Sequence, residues 1–182
     1  MNYNILKTIA EDGWRIVSLP EEERTAELCR AAVQSALPKL SDTESILHDV
    51  PKPLRTSELC MLAVARDGCA LRDVPQDILQ RDICLTAVKN YWNALGSVPL
   101  VLRDEELCSA AIEENGQALQ FVPRALVTPA LIWKALKTAP SALQFVPVEL
   151  RTAEVCLYAC RRDPAGLAAR YVPCEVLNKF LW

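Results

Sequence analysis

The sequence predicts an all-α protein, a short α-solenoid of about six 24-residue helical repeats. Three observations predict it. A Val-Pro dipeptide returns at Val50-Pro51, Val74-Pro75, Val98-Pro99, Val122-Pro123 and Val146-Pro147, 24 residues apart each time, and Val172-Pro173 follows after 26. A fixed period of that size marks stacked repeats, each too small to bury its apolar face alone. Within each period, apolar residues recur at helical spacing, and no segment sustains the alternation of a strand.

The elements are readable in order when residues are counted as columns from each proline. Column five carries Thr56, Asp104, Thr128 and Thr152, residues that cap the free N–H groups of a first helical turn. Gln80 holds that column in one repeat and is a weaker cap, so the helix after Pro75 is expected to start less sharply. Glu58, Asp82, Glu106 and Glu154 follow at column seven, where a negative charge favours the positive end of the helix dipole. Columns eight and nine read Leu59-Cys60, Ile83-Cys84, Leu107-Cys108, Leu131-Ile132 and Val155-Cys156. Column twelve is alanine throughout, at Ala63, Ala87, Ala111, Ala135 and Ala159, and column thirteen is Val64, Val88, Ile112, Leu136 and Cys160. Steps of one, three and four put these columns on one helical face, and an invariant alanine there implies close helix approach.

Column seventeen holds the helix stop: Gly68, Gly116, Pro140 and Pro164, with Trp92 departing from the pattern. A short apolar return follows, with Ala70-Leu71, Ala94-Leu95, Ala118-Leu119 and Ala142-Leu143 before the next Val-Pro. Proline then opens another short helical piece, expected to carry Leu54, Ile78, Leu102, Leu126 and Leu150 inward. Each repeat thus reads as one helix of about three turns plus shorter helical or 3₁₀ pieces.

The register sets the domain organisation: one domain over 1–182. Residues 4–20 form an N-terminal half repeat, since Gly13 and Ile16 match the positions before the other prolines. Residues 20–50 form an irregular repeat, with Arg24, Thr25, Glu27, Leu28, Cys29, Ala32 and Val33 in register and about seven extra residues around 41–45. Residues 51–172 hold five repeats. Residues 173–182, ending Phe180-Leu181-Trp182, form a cap or the start of a further repeat.

Composition bounds the function. Half of the 182 residues are hydrophobic and a quarter charged, as in folded soluble proteins. No run approaches the ~20 apolar residues of a membrane span, and no secretory leader is visible. A net charge of −3 exerts no global pull on nucleic acid. Eight cysteines invite a disulfide reading, but Cys29, Cys60, Cys84, Cys108 and Cys156 share one column. Packed helical layers stand roughly 9–10 Å apart, beyond the ~7 Å Cα separation a disulfide spans. The ladder is therefore read as buried free thiols in a reducing, cytoplasmic compartment. Cys156 and Cys160, one turn apart, are both read as core.

No catalytic, metal or cofactor site is expected. His48, the single histidine, sits beside Asp49 and one turn from Glu44 and reads as a solvated loop residue; the enzyme alternative would need it to activate a ladder thiol. Arg24, Arg55, Arg103 and Arg151 share column four, with Leu79 and Val127 replacing arginine. They are expected to pair with acidic neighbours in adjacent repeats; the alternative is a cationic row that takes carboxylates or phosphates.

A partner is expected to meet the columns that vary on a constant frame. Columns ten, eleven, fourteen and fifteen supply Met61, Leu62, Leu85, Trp133, Lys134, Lys137, Leu157, Tyr158, Arg161 and Arg162, with Trp92 as a second aromatic candidate. Trp133 and Tyr158 are the natural anchors. Packing of column ten against the next helix is the competing reading.

The pattern Val50-Pro51-x-x-Leu54-Arg55-Thr56-x-Glu58-Leu59-Cys60-x-x-Ala63-Val64-x-x-x-Gly68-x-Ala70-Leu71-x-x-Val74-Pro75 resembles the family catalogued as domain of unknown function 4116. The resemblance spans roughly residues 20–175. It departs at the long first repeat, Trp92, Ile132 and the extra residues before Val172. It implies a microbial helical repeat and supplies no catalytic motif. The leading expectation is a non-catalytic scaffold for protein–protein interaction, as a microbial effector or an adaptor, with no cofactor and no membrane contact. Delivery into a host cell is compatible with that reading. A small cytoplasmic immunity protein that neutralises a toxin is one alternative. A nucleic-acid-binding solenoid, using the column-four arginines with Lys134, Lys137, Arg161 and Arg162, is another.

Overall fold

A computed structural model describes residues 3–37 and 45–177. Its described residues form α-helices, 3₁₀ segments and turns, with no strand. The α-helices are α1 (Tyr3–Glu11), α2 (Ala26–Ser35), α3 (Ser57–Arg66), α4 (Arg81–Asn90), α5 (Glu105–Glu114), α6 (Pro129–Thr138), α7 (Ala153–Arg162) and the short α8 (Cys174–Leu177). The all-α expectation is met.

Each helix starts where column five caps it. Thr25, Thr56, Thr128 and Thr152 accept from the N–H of column eight at 3.3–3.4 Å, and Asp104 does so at 2.8 Å. Gln80 makes no such bond, and the three residues after Pro75, Gln76 to Ile78, form turns instead of a 3₁₀ piece. The helix interior is buried as its spacing required: columns eight, nine and twelve are all buried, from Leu59, Cys60 and Ala63 to Val155, Cys156 and Ala159. Column thirteen is buried from Val64 to Leu136, but Cys160 is only half-buried, because the repeat that follows it departs from register.

Column seventeen does more than stop a helix. From α3 to α6 each helix has ended two residues earlier, and column seventeen opens the return 3₁₀ segment, in Gly68–Asp73, Trp92–Ser97, Gly116–Phe121 and Pro140–Phe145, whereas Pro164 lies in a turn ahead of Ala168–Tyr171. Column sixteen caps two of these four segments. Asp67 accepts from Cys69 N at 2.9 Å and Asn115 from Gln117 N at 2.9 Å. Glycine is needed next to it because the following helix comes within backbone contact. A Cβ at Gly68 would overlap the Ala87 carbonyl, and one at Gly116 the Ala135 carbonyl. The constant alanine and the recurrent glycine are thus two sides of one close approach.

The piece after each proline buries less than expected. Leu54, Ile78, Leu102, Leu126 and Leu150 are half-buried, and the three-residue 3₁₀ segments Lys52–Leu54, Leu100–Leu102, Arg124–Leu126 and Val148–Leu150 contain no buried residue. Core packing comes from the return segment instead, through Ala70-Leu71, Ala94-Leu95, Ala118-Leu119, Ala142-Leu143 and the valines Val50, Val74, Val98, Val122 and Val146.

Two compact units divide the chain, Met1–Val98 and Pro99–Trp182. In the first, α1, α2, α3 and α4 pack in sequence order, and the return segments of the last two repeats stack on one another. In the second, α5, α6 and α7 pack in order, with Gly116–Phe121, Pro140–Phe145 and Ala168–Tyr171 stacked beside them. The helix α1 is followed by the 3₁₀ segment Gly13–Ser18. Ser45 is buried and caps Ile46–Asp49 through Leu47 N at 3.1 Å. The rest of the predicted insertion, 41–44, lies outside the described residues, as do Phe180, Leu181 and Trp182.

Candidate functional site

The column-four arginines are structural staples, which corrects the expected pairing with acids. Arg55 donates from Nε to Val50 O at 2.8 Å, from Nη2 to His48 O at 3.0 Å and from Nη1 to Asp73 O at 2.8 Å. Arg151 repeats the set with Val146 O, Gln144 O and Tyr171 O at 2.8, 3.1 and 2.9 Å. Arg24 uses Leu19 O, Val17 O and Asp49 O at 3.0, 3.3 and 2.6 Å, and Arg103 reaches Phe121 O at 2.6 Å. The chemistry follows from the Val-Pro dipeptide. Continuing the 3₁₀ ladder would require an N–H at the proline position to satisfy the carbonyl three residues back, and proline has none. The guanidinium supplies that donor and a second one to the same segment, and its third reaches the return segment of the next repeat.

The ladder thiols are likewise spent on the fold. Cys29 and Cys156 lie within S–H···O distance of the Arg24 and Arg151 carbonyls, at 3.7 and 3.6 Å. Burial pushes the Cys60 and Cys108 thiols up to about 11, and raises those of Cys29, Cys84 and Cys156 in the same direction. All eight cysteines are free thiols; Cys69 and Cys160 are half-buried and Cys174 is exposed. His48 is exposed, with Nδ1 3.2 Å from Asp73 Oδ1.

Columns ten and eleven are half-buried from Met61-Leu62 to Leu157-Tyr158, so they are neither core nor free surface. Columns fourteen and fifteen are exposed. In the second unit this brings several predicted residues together. The rings of Trp133 on α6 and Tyr158 on α7 meet edge to face, centroids 5.2 Å apart at 83°. The Arg162 guanidinium lies 5.5 Å from the centre of the Tyr158 ring. These three, with Leu157, Arg161 and Glu154, line a groove of about 590 Å³. Lys134 is tied down, with Nζ 2.7 Å from Glu113 Oε1 and 2.8 Å from Ser109 Oγ. Lys137 is exposed in the last turn of α6.

Met61 and Leu62 lie elsewhere, in the first unit. With Leu54, Leu59 and Ala65 they floor a groove of about 620 Å³ between α2 and α3. Its rim carries Glu27 and the ion pair of Arg30 Nη2 with Glu58 Oε1 at 2.9 Å. Leu85 is half-buried on α4 and lines neither groove, and Trp92 opens its return segment with its ring tilted on Tyr91 at 6.1 Å. Glu154 and Glu58 were legible only as helix-dipole partners; their place on groove rims depends on the neighbouring helix.

Among the described residues no helix is long and apolar enough to cross a membrane, and no cluster of three or more His, Cys, Asp or Glu side chains is placed to hold a metal ion. Repeats of one α-helix and two 3₁₀ pieces, stapled through backbone carbonyls, define an all-α helical-repeat protein. The model of the family described as Domain of unknown function (DUF4116) matches residues 56–103 and again 80–126. The two matches begin one repeat apart. No curated protein and no solved structure matches the chain.

Proposed function

We propose that this protein is a non-catalytic helical-repeat scaffold for protein–protein interaction, and that the Trp133–Tyr158 groove is where a partner docks. The observation that carries the reading is the convergence of two aromatic rings and two arginines on adjacent helices around one open groove. Tryptophan, tyrosine and arginine are the residue types that dominate interface energetics when a partner covers them. Arg161 and Arg162 outnumber Glu154 in the lining, which favours a partner segment with acidic character. The raised ladder thiols support the non-catalytic part, since a thiol held protonated is a poor nucleophile.

Affinity capture from native cells with the tagged protein, read by mass spectrometry, tests this. A partner captured by the unaltered protein is expected to be lost with Trp133→Ala. Unchanged capture by Trp133→Ala and Tyr158→Ala would exclude this face. An effector or adaptor role and an immunity role are distinguished by what is captured, a host or cellular protein in the one case and a toxin in the other. The nucleic-acid reading draws on Lys137, Arg161 and Arg162, because the column-four arginines spend their donors on carbonyls. A gel-shift assay with no salt-sensitive binding removes it.

A further inference from the structure

Val127 stands where arginine stands in the repeats of Arg55, Arg103 and Arg151. The staple geometry says which carbonyls its guanidinium would have joined: five and seven residues before column four, and eighteen after it in a regular repeat, as for Arg55. For Val127 these are the carbonyls of Val122, Gln120 and Phe145. None of the three accepts a hydrogen bond among the described residues. Gln120 lacks its 3₁₀ partner because the next donor position is Pro123, and here no arginine replaces it. The same three residues, with Val127, line a pocket of about 400 Å³ that is open to solvent.

We infer that this pocket is a guanidinium-binding site, a staple position left vacant by Val127 and shaped for the side chain of an arginine or for a small guanidinium compound. The planar fork that three carbonyls hold at Arg55 and Arg151 fits the corresponding carbonyls here. The surrounding charges permit it. Arg124 also lines the pocket, but it is paired with Glu149. Arg151 at its edge has its donors occupied by carbonyls of the next rung. Guanidinium rungs on consecutive repeats already occur in this chain, at Arg24 and Arg55. An ammonium ion is a poorer fit, since a point donor on a flexible stem does not bridge three carbonyls at once. The site is separate from the Trp133–Tyr158 groove and does not rest on the docking role given to that groove.

The test is a titration of the ¹⁵N-labelled protein, at millimolar ligand, with N-acetyl-arginine methylamide, the matching lysine amide and the peptide Ala-Ala-Arg-Ala-Ala. The arginine ligands are expected to shift the amide resonances of residues 120–128 and 145–148, with smaller shifts from lysine. The shifts are expected to disappear in Val127→Arg, which fills the cradle covalently, and in Val127→Leu, which fills it by bulk and serves if the arginine variant misfolds. Tighter binding of the peptide than of the amide assigns the site to a partner's arginine; equal binding assigns it to small guanidinium compounds. The absence of shifts, equal shifts with lysine, or shifts that persist in both variants would overturn the assignment.

Discussion

At Gly116 the missing side chain is what lets α6 approach. A Cβ there meets the Ala135 carbonyl and Cα, which are backbone atoms and cannot rotate away. Gly116→Ala is expected to lower stability by about 1–3 kcal/mol, as overpacking of a tight contact does, measured by urea unfolding; an unchanged midpoint would mean α6 can retreat freely. The buried thiols make a second residue-scale prediction. A thiol in the unfolded chain titrates near 9.0, whereas burial holds Cys60 and Cys108 near 11. Between those values the folded chain retains protons that the unfolded chain has lost. Stability from these thiols is therefore full below pH 9 and falls as pH rises through 11. The loss is on the order of 2 kcal/mol per thiol at the alkaline end. Urea midpoints measured across that window should fall, and Cys60→Ala should remove part of the dependence.

At the scale of elements, the repeat is a helix and a 3₁₀ return joined by one arginine. Arg55 ties the end of its own return segment to the return segment of the next repeat. Arg55→Ala is expected to cost about 1–3 kcal/mol, the range for hydrogen bonds to a charged donor, with water replacing part of the loss because the side chain is half-buried. Arg55→Lys should recover only part of it. Thermal unfolding of the three proteins checks this; full recovery by lysine would mean the staple acts by charge alone. The column was visible in the sequence, but its partners were not. An acidic neighbour leaves a mark in sequence, whereas a backbone carbonyl is present at every residue and leaves none. The Asp67 and Asn115 caps are legible in principle, since both precede the column-seventeen glycine, but that glycine alone already accounts for the helix end and masks them.

For the whole molecule, each unit is a short stack in which a helix touches its neighbours in order. Stability in such a stack is a sum of repeat and nearest-neighbour contributions. Amide exchange is therefore expected to be slowest in α2, α3 and α6, each covered on both sides within its own unit, and faster in α1 and α8. Hydrogen-exchange mass spectrometry would read this directly, and uniform protection along the chain would contradict it. The candidate docking residues also sort at this scale. Met61 and Leu62 belong to a groove of the first unit, and Trp133, Tyr158, Arg161 and Arg162 to a groove of the second.

By itself the sequence determined the helical class, the helix starts and the buried face of the α-helices, because periodicity and capping act over a few residues and leave a pattern in the chain. Tertiary structure alone decided which atoms the arginines hold, that Trp133 and Tyr158 meet edge to face, and that Val127 leaves three carbonyls without a donor among the described residues. Those outcomes join residues about a repeat apart. Their geometry is set by how one layer settles on the next, which the period announces but does not specify.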